Sequence, residues 1–600
     1  PAAIIAIHPS FLIRTMGGIY DTDGFNVMFP LIITWVFIGA LEAKSIKICA
    51  ALGAINGLLL GLYSLAWAGW WYVFDFILAP LALYLAYYIF VHRKEFVGNI
   101  MDLAKRKAIK NSVVFLIAFF IVSAIATTIF VDFKHFTGFY SGPFGFAKLK
   151  EVGITATGKS TIWPNVYTTV AEWNPASLDS VVDQVGLGKK WFFLIALMGI
   201  TLAITREERK KWWFVIGALA WYTILFLVNI QDLNTFLILI AVPVIIRLIV
   251  ALWESDTGID IYAAFLMLWF IATTYASTKG VRFTLLLVPV FGIGFGIALG
   301  KIYRYLSPWI SKGLHINKYV SKTAVIIVLL LLLVAPYRSS AQTAGSVISD
   351  FDDAWRLSLE RIKEDSKPDA IINSWWDFGH WFKFWADRAV TFDGTSQSTP
   401  QAYWIGKVLL TSNEKAAVGI LRMLDCNERW GYRTIQGLTN NDGVKTLDIL
   451  NEILPEDREN AKKILSKYFD EENVKAILEN THCSDPPENY FITSEDMVGK
   501  SGVWAHFGSW DFDRALIYNT LKKEYSNDMG QSVKFLQERF GYTKDDAEKL
   551  FYEVQSLTTS DQVNNWIAPW PSYAGSAGCG KIDNLTLSCA ISGIPLVVNL

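Results

Sequence analysis

The sequence predicts a polytopic α-helical membrane domain followed by a mostly α-helical, mixed α/β soluble domain. Three observations predict it. Apolar runs of spanning length fill residues 1–336, basic loops alternate with loops poor in Lys and Arg, and the composition changes after Pro336. Of the 600 residues, 52% are hydrophobic and 14% aromatic, which points to a membrane protein. A chain of that length holds at least two domains.

The spanning runs lie near 24–42, 46–68, 71–92, 112–132, 190–205, 211–230, 234–253, 260–277, 281–300 and 319–336. Each approaches the roughly 20 residues that a bilayer core requires. Those at 190–205 and 260–277 depart furthest from a span, and residues 2–13 resemble the tail of one more. Lys and Arg concentrate in "LEAKSIK" (41–47), in 92–110, in "TREERKKWW" (205–213) and in 301–318. Reading these loops as cytoplasmic leaves four segments outside: "GGIYDTDG" (17–24), the long loop 133–189, the junction 277–282 and everything after 337.

After Pro336, charged residues, Asn, Gly and Pro return, and helical patterns such as 457–479 appear. Residues 337–600 therefore read as one soluble domain, of ordinary size for a domain. No internal repeat or low-complexity stretch occurs. A net charge of −1 without a basic stripe gives no support to a nucleic-acid partner. The five cysteines (49, 426, 483, 579, 589) lack CxxC spacing, and Cys579 and Cys589 could pair in an oxidising compartment. The opening "PAAIIAIHPS" has no basic n-region, so it is not a signal peptide and is expected to begin inside a larger protein.

Several residues carry possible chemistry. Asp21 and Asp23 in "YDTDG" could bind a hard cation such as Mg²⁺ or Mn²⁺, or Asp23 could simply cap the next helix. Glu172, in the long loop, supplies a third acid or is a solvated glutamate. A loop of that length is usually functional or disordered. Arg282 opens a span at its outer end, where it either snorkels or grips a phosphate through its planar fork. In "INSWWDFGHWFKFW" (372–385), Trp375, Trp376, Trp381 and Trp385 surround Asp377 and Gly379. They form a membrane-surface belt, an apolar core, or a pocket whose carboxylate accepts from a small hydroxyl. Such a pocket rejects ligands that lack the hydroxyl, because its polar groups would be stranded. Asp496 and Lys500 in "DMVGK" stand i,i+4 if helical, a surface ion pair on the plainest reading.

Together these motifs resemble the catalytic subunit of oligosaccharyltransferase, in the single-subunit form typical of archaea. "WWDFG" (375–379) resembles the family's WWDYG signature, "YDTD" (20–23) its second acidic motif, and "TVAE" (169–172) its TIxE motif. "VRFT" (281–284) resembles the segment whose arginine faces the lipid-linked diphosphate, and "DMVGK" (496–500) an archaeal DK motif. Segments within 390–424 also read like archaeal members. The resemblance implies a GT-C-like membrane domain and an extracytoplasmic soluble domain. It also implies transfer of an oligosaccharide from a dolichyl phosphate or diphosphate carrier to Asn in Asn-x-Ser/Thr of an acceptor polypeptide.

An asparagine amide is a poor nucleophile, because its lone pair is delocalised into the carbonyl. Full rotation about a peptide amide costs about 18–20 kcal/mol, so even partial loss of conjugation needs placed acceptors. By family likeness, Glu172 accepts from the amide N–H. Asp21, Asp23 and Glu172 bind Mn²⁺ or Mg²⁺, which offsets charge on the leaving phosphate. Arg282 holds the diphosphate. Trp375, Trp376 and Asp377 bind the Ser/Thr hydroxyl, with Asp496, Met497 and Lys500 beside them. The loop bearing Glu172 is expected to close over the peptide and reopen.

The chain departs from the family in three ways. It starts too late to include the first acidic motif, so residues 1–600 alone are expected to be inactive. Asp496 and Lys500 are four apart where a common family form has three. "GIPLVVNL" reads like a strand of a larger C-terminal region. "DNLT" (583–586) is itself a sequon, so self-glycosylation at Asn584 is a further expectation. A lipid-linked-sugar glycosyltransferase with another acceptor, such as a mannosyltransferase, would share the acids but has no use for WWDFG. A transporter would place ionisable residues inside the spans, where Asp75 is the exception to a generally uncharged interior.

Overall fold

The computed structural model describes every residue except 17–21, 93–105, 149, 153–160, 205–211, 229, 254–260, 398–399, 526–527, 570–577, 582–585, 592–593 and 600. Asp21 and Asn584 lie outside the described residues. The chain divides into two compact units, one of residues Pro1–Phe144 and Ala171–Asp350, the other of Gly145–Val170 and Phe351–Leu600.

The first unit is helical, and every expected apolar run forms a helix. Among the described residues, seven helices are long and apolar enough to cross a membrane: Thr22–Glu42, Ile46–Ala66, Trp71–Val91, Lys107–Phe130, Leu233–Trp253, Val281–Gly313 and Lys318–Ser346. An eighth candidate is a pair, Leu178–Val185 with Lys190–Ala203, bent by 80°. The run expected at 190–205 is the second arm of that pair. The runs expected at 211–230 and 260–277 form Trp212–Val228 and Ile261–Lys279, outside the seven. Lipid supplies no hydrophobic drive between helices, so close packing of small residues does the work. Gly53, Gly57 and Gly61 line one face of Ile46–Ala66. A Cβ at Gly57 would lie 2.8 Å from the Phe119 carbonyl oxygen of Lys107–Phe130, closer than side chains tolerate.

The second unit is mostly helical around a small sheet. Strands β1 (Ile371–Asn373), β2 (Ala389–Val390) and β3 (Asn489–Phe491) run parallel in the order β2-β1-β3. A later antiparallel sheet joins β4 (Gly578–Lys581), β5 (Thr586–Ile591) and β6 (Ile594–Asn599). β6 is the strand expected in "GIPLVVNL", and Cys579 stands opposite Cys589 in the backbone register. The helical pattern at 457–479 breaks into Arg458–Leu465 and Glu471–Thr481, because Asp457 and Asp470 each cap a new N-terminus. Val152, Ile162, Trp163, Val166 and Val170 pack into this unit's core. Trp163 meets Tyr432 and Phe512 edge-on, and the Ile162 carbonyl accepts from the Trp510 indole at 2.9 Å. That half of the long loop is thus structural. A disulfide joins Cys426 to Cys483, a pairing the spacing of 57 residues does not announce.

Candidate active site

Two clusters hold the residues singled out by the sequence, one in each unit. In the first unit, Asp23 sits in a single 3₁₀ turn, Thr22–Gly24, ahead of the helix Phe25–Glu42. It does not cap that helix, whose N-terminus starts from Gly24 without a side-chain cap. Its carboxylate is 1% exposed and is enclosed by donors instead. Oδ1 accepts from Arg282 at 3.0 Å and Asn26 at 3.1 Å, and Oδ2 from Arg14 at 3.1 Å. Tyr63 donates to the Asn26 side-chain oxygen at 3.1 Å, which fixes which end of that amide faces Asp23.

Glu172 occupies another 3₁₀ turn, Ala171–Trp173. Its carboxylate accepts from Arg14 at 3.1 Å and from Arg282 at 3.0 Å. One nitrogen of Arg14 thus serves both acids, while the Arg282 fork spans them, one nitrogen to each. A guanidinium has the rigid donor geometry for such bridging. Arg282 is placed by the turn Val281–Phe283 at the head of the helix Thr284–Gly313, and it is engaged with acids rather than snorkelling. Arg14, in the last turn of Pro9–Thr15, was missed by the sequence reading. Its only signal is a lone cation ending an apolar run, nine residues before Asp23.

In the second unit, WWDFG leaves the C-terminal end of the central strand β1. Its tryptophans divide their work. Trp375 is 2% exposed and belongs to the helical core, edge-on to Phe392 and stacked near Phe507. Trp376 is half-buried against the same core. Trp381 and Trp385 instead build a satellite core with Phe351, Trp355 and Phe378. All four indoles thus pack against an apolar core, Trp375 fully and the other three in part. Gly379 is required by close approach, since a Cβ there would lie 2.6 Å from the Cβ of Asp393.

Asp377 lies in the turn Trp376–Phe378. Its Oδ1 meets the Lys500 ammonium at 2.9 Å, whereas Oδ2 is shielded from solvent and meets no donor among the described residues. Lys500 closes the short helix Glu495–Gly499 and also reaches Asp496 at 2.9 Å. Its ammonium stands 5.5 Å from the Phe378 ring centroid, within cation–π range. Phe378 thus keeps a use without the family tyrosine's hydroxyl. Met497 is buried beneath, its carbonyl accepting from the Trp504 indole at 2.9 Å.

Burial pushes the Asp377 carboxyl above its ordinary range, against the opposing pull of Lys500. Burial also works to lower Lys500, but the charges of Asp377 and Asp496 outweigh it and hold the ammonium above its usual value. Asp496 ends below its ordinary value: burial opposes this, and hydrogen bonds from Lys500 and Ser494 prevail.

Comparison with known proteins follows the same lines. Residues 1–337 match the family model described as oligosaccharyl transferase STT3, N-terminal, and residues 368–514 match the STT3/PglB/AglB core domain. A dolichyl-phosphooligosaccharide-protein glycotransferase of Methanococcus voltae is 29% identical over 593 residues, covering 85% of this chain and 60% of that protein. The protein of that name from Methanocaldococcus jannaschii is 28% identical over 517 residues, covering 74% and 49%. This chain therefore spans between about half and three fifths of those relatives' lengths. An archaeal oligosaccharyltransferase structure from Archaeoglobus fulgidus aligns with a TM-score of 0.44 at 15% identity, covering 74% of this chain and 57% of that one. The family model alone covers more than half of the chain, and the chain belongs to the oligosaccharyl transferase STT3 family.

Proposed function

We propose that the protein carrying this chain transfers an oligosaccharide from a dolichyl phosphate or diphosphate carrier to the side-chain amide of Asn in Asn-x-Ser/Thr. The observation that carries the reading is the state of Asp377. One oxygen is held by Lys500, and the other is a buried acceptor without a donor. An unsatisfied buried acceptor costs free energy, and a hydroxyl from a bound Ser or Thr recovers it. Trp376 and Lys500 are only half-buried, so a rotamer change at either opens the way. Trp375, fixed in the core, holds the motif rigid, while Asp496 and Met497 support Lys500.

Asp23 and Glu172 supply the acceptors for the acceptor amide, and Arg282 the fork for the carrier's phosphate. The two carboxylates also have the hard-oxygen chemistry of a divalent-cation site, and sharing one Arg14 nitrogen brings them to the same point. Among the described residues no third acid joins them. Asp21, outside those residues, would complete the set. Mn²⁺ or Mg²⁺ held by Asp21, Asp23 and Glu172 would offset charge on the departing phosphate. Asp23 and Glu172 would also orient the amide, and Arg14 and Arg282 would meet phosphate oxygens. The active site and the second unit face the extracytoplasmic side on this reading. A disulfide in that unit suits an oxidising compartment, and the alternation of basic loops supports the same sidedness.

The test is transfer to paired Asn-x-Thr and Asn-x-Ala peptides by the full-length protein, with native lipid extract and Mn²⁺. Wild type uses the Thr peptide and neglects the Ala peptide. Asp377→Ala removes the difference by losing the Thr peptide. Equal use of both peptides by wild type refutes the hydroxyl-binding role.

A further inference from the structure

Behind WWDFG lies a polar chain that the proposed reaction does not use. Asn373, the last residue of β1, is fully buried. Its side-chain oxygen accepts from the Thr391 hydroxyl, just beyond β2, and its N–H₂ donates to Asp425 Oδ1 at 2.7 Å. Asp425 Oδ2 accepts in turn from the Asn489 amide on β3. One carboxylate thus ties all three neighbouring strand segments to the helix Glu414–Asn427. The next residue along, Cys426, is bridged to Cys483, six residues before Asn489.

A carboxylate only 7% exposed, with two neutral amides as its partners, is a costly choice for a core. Burial pushes it up to about 6 despite those hydrogen bonds. Each buried side-chain nitrogen and oxygen of the chain nonetheless has a partner, which is the condition under which a buried network rigidifies its surroundings. What it rigidifies is the exit of β1. In sheets of parallel strands, ligands bind beyond the carboxyl ends of the strands, and the residues leaving that end here are Ser374, Trp375, Trp376 and Asp377. The same junction is held from the other side. Ile492 N–H donates to the Asn373 carbonyl at 2.9 Å, and the Ser374 hydroxyl donates to the Ile492 carbonyl at 2.8 Å.

We infer that Asp425 is a positioning residue for the acceptor-peptide site: through Asn373 it fixes the angle at which the chain enters Trp375–Asp377. The inference rests on the reading of Asp377 as the hydroxyl's partner. It involves no contact between Asp425 and either substrate.

The connectivity supplies its own test, because the carboxylate and the amide can trade places. With Asn373→Asp and Asp425→Asn together, Thr391 and the new amide at 425 both donate to the carboxylate at 373. Asn489 then donates to the amide oxygen at 425, so every bond has a partner again. Either substitution alone fails. Asn373→Asp sets two carboxylates face to face, and Asp425→Asn replaces the charged acceptor by a neutral amide whose N–H₂ meets the donor of Asn373 or Asn489 until one of those amides turns over. The experiment uses the full-length protein and compares peptide KM, kcat and carrier KM with amide hydrogen exchange at 374–379. Each single variant is expected to raise peptide KM about tenfold, the worth of one hydrogen bond to a charged group. Exchange at 374–379 should quicken about fivefold, with kcat and carrier KM unchanged. The double variant should restore both. A folded double variant that restores neither overturns the inference, and so do single variants that lower kcat at constant peptide KM. If wild type transfers no glycan while exchange follows the expected pattern, the functional reading falls and the positioning role stands.

Discussion

The acids of the two clusters are held in opposite ways. In the first unit, Asp23 and Glu172 have every oxygen bound by a guanidinium, and Asp23 takes a third bond from Asn26. In the second, Asp377 shares a single ammonium with Asp496 and keeps one oxygen without a donor. A saturated carboxylate pair is a closed electrostatic unit, which gives up a partner only to something of comparable charge, such as a divalent cation or a phosphate. An unsaturated carboxylate is an open valence for a neutral donor. On the proposed function, the first cluster suits charged chemistry and the second recognition of a hydroxyl.

The largest effects should separate these roles kinetically. On the proposed function, Glu172→Ala or Asp23→Ala would remove an acceptor from the reacting amide and should lower kcat by about 100- to 10,000-fold, the range of a placed acid–base group. Asp377→Ala should act mainly on peptide KM and on the Thr-over-Ala preference. If Asp377→Ala instead lowers kcat at unchanged peptide KM, the division of labour is wrong. Chelation and readdition of Mn²⁺ should affect the wild-type rate but leave the affinity of the second cluster for peptide unchanged.

Smaller effects should appear in stability. Arg14→Leu leaves Asp23, deeply buried, with one charged partner fewer, and should cost about 2 kcal/mol, the value of hydrogen bonds to a charged group. Lys500→Met removes a cation that is more than a third exposed and should cost no more than about 1 kcal/mol. Thermal unfolding in detergent, read separately for each unit by hydrogen exchange, checks the order. A larger loss at Lys500 than at Arg14 would show that exposure has misjudged which cluster is closed.

These contrasts also mark what the sequence could reveal. Spans were legible because spanning helices need long uninterrupted apolar runs, and each expected run became a helix. Asp23, Glu172 and Arg282 were nameable as residue types at motif spacings, but not as partners. Glu172 pairs with Arg14 across 158 residues, and no local pattern encodes such a contact. Hydrophobicity alone could not sort the tryptophans of 375–385 between two cores, since an indole on a three-residue strand exit and one on the following helix look alike in sequence. β1 itself is too short for a period of two to register. The pairing of Cys426 with Cys483 was equally hidden, set by the meeting of two helices rather than by spacing.

The smallest effect, and the sharpest for the open acceptor, is a shift in pH dependence. Asp377 accepts from a hydroxyl most strongly when ionised, so peptide affinity should fall as pH drops through the acid range. Burial raises the Asp377 carboxyl, and Lys500 is the chief influence pulling it back down. Removing that charge in Lys500→Met should therefore move the acid limb of the 1/KM profile to higher pH. Stability should follow the opposite sense. A carboxyl raised by burial contributes stability that is present below its ordinary pKa and lost as pH rises through the folded value. Lys500→Met should accordingly bind peptide less well, yet lose less stability than wild type, on acidification. An acid limb that stays in place, or moves to lower pH, would mean that Lys500 does not set the charge of Asp377 and that the donorless oxygen is not what the peptide hydroxyl meets.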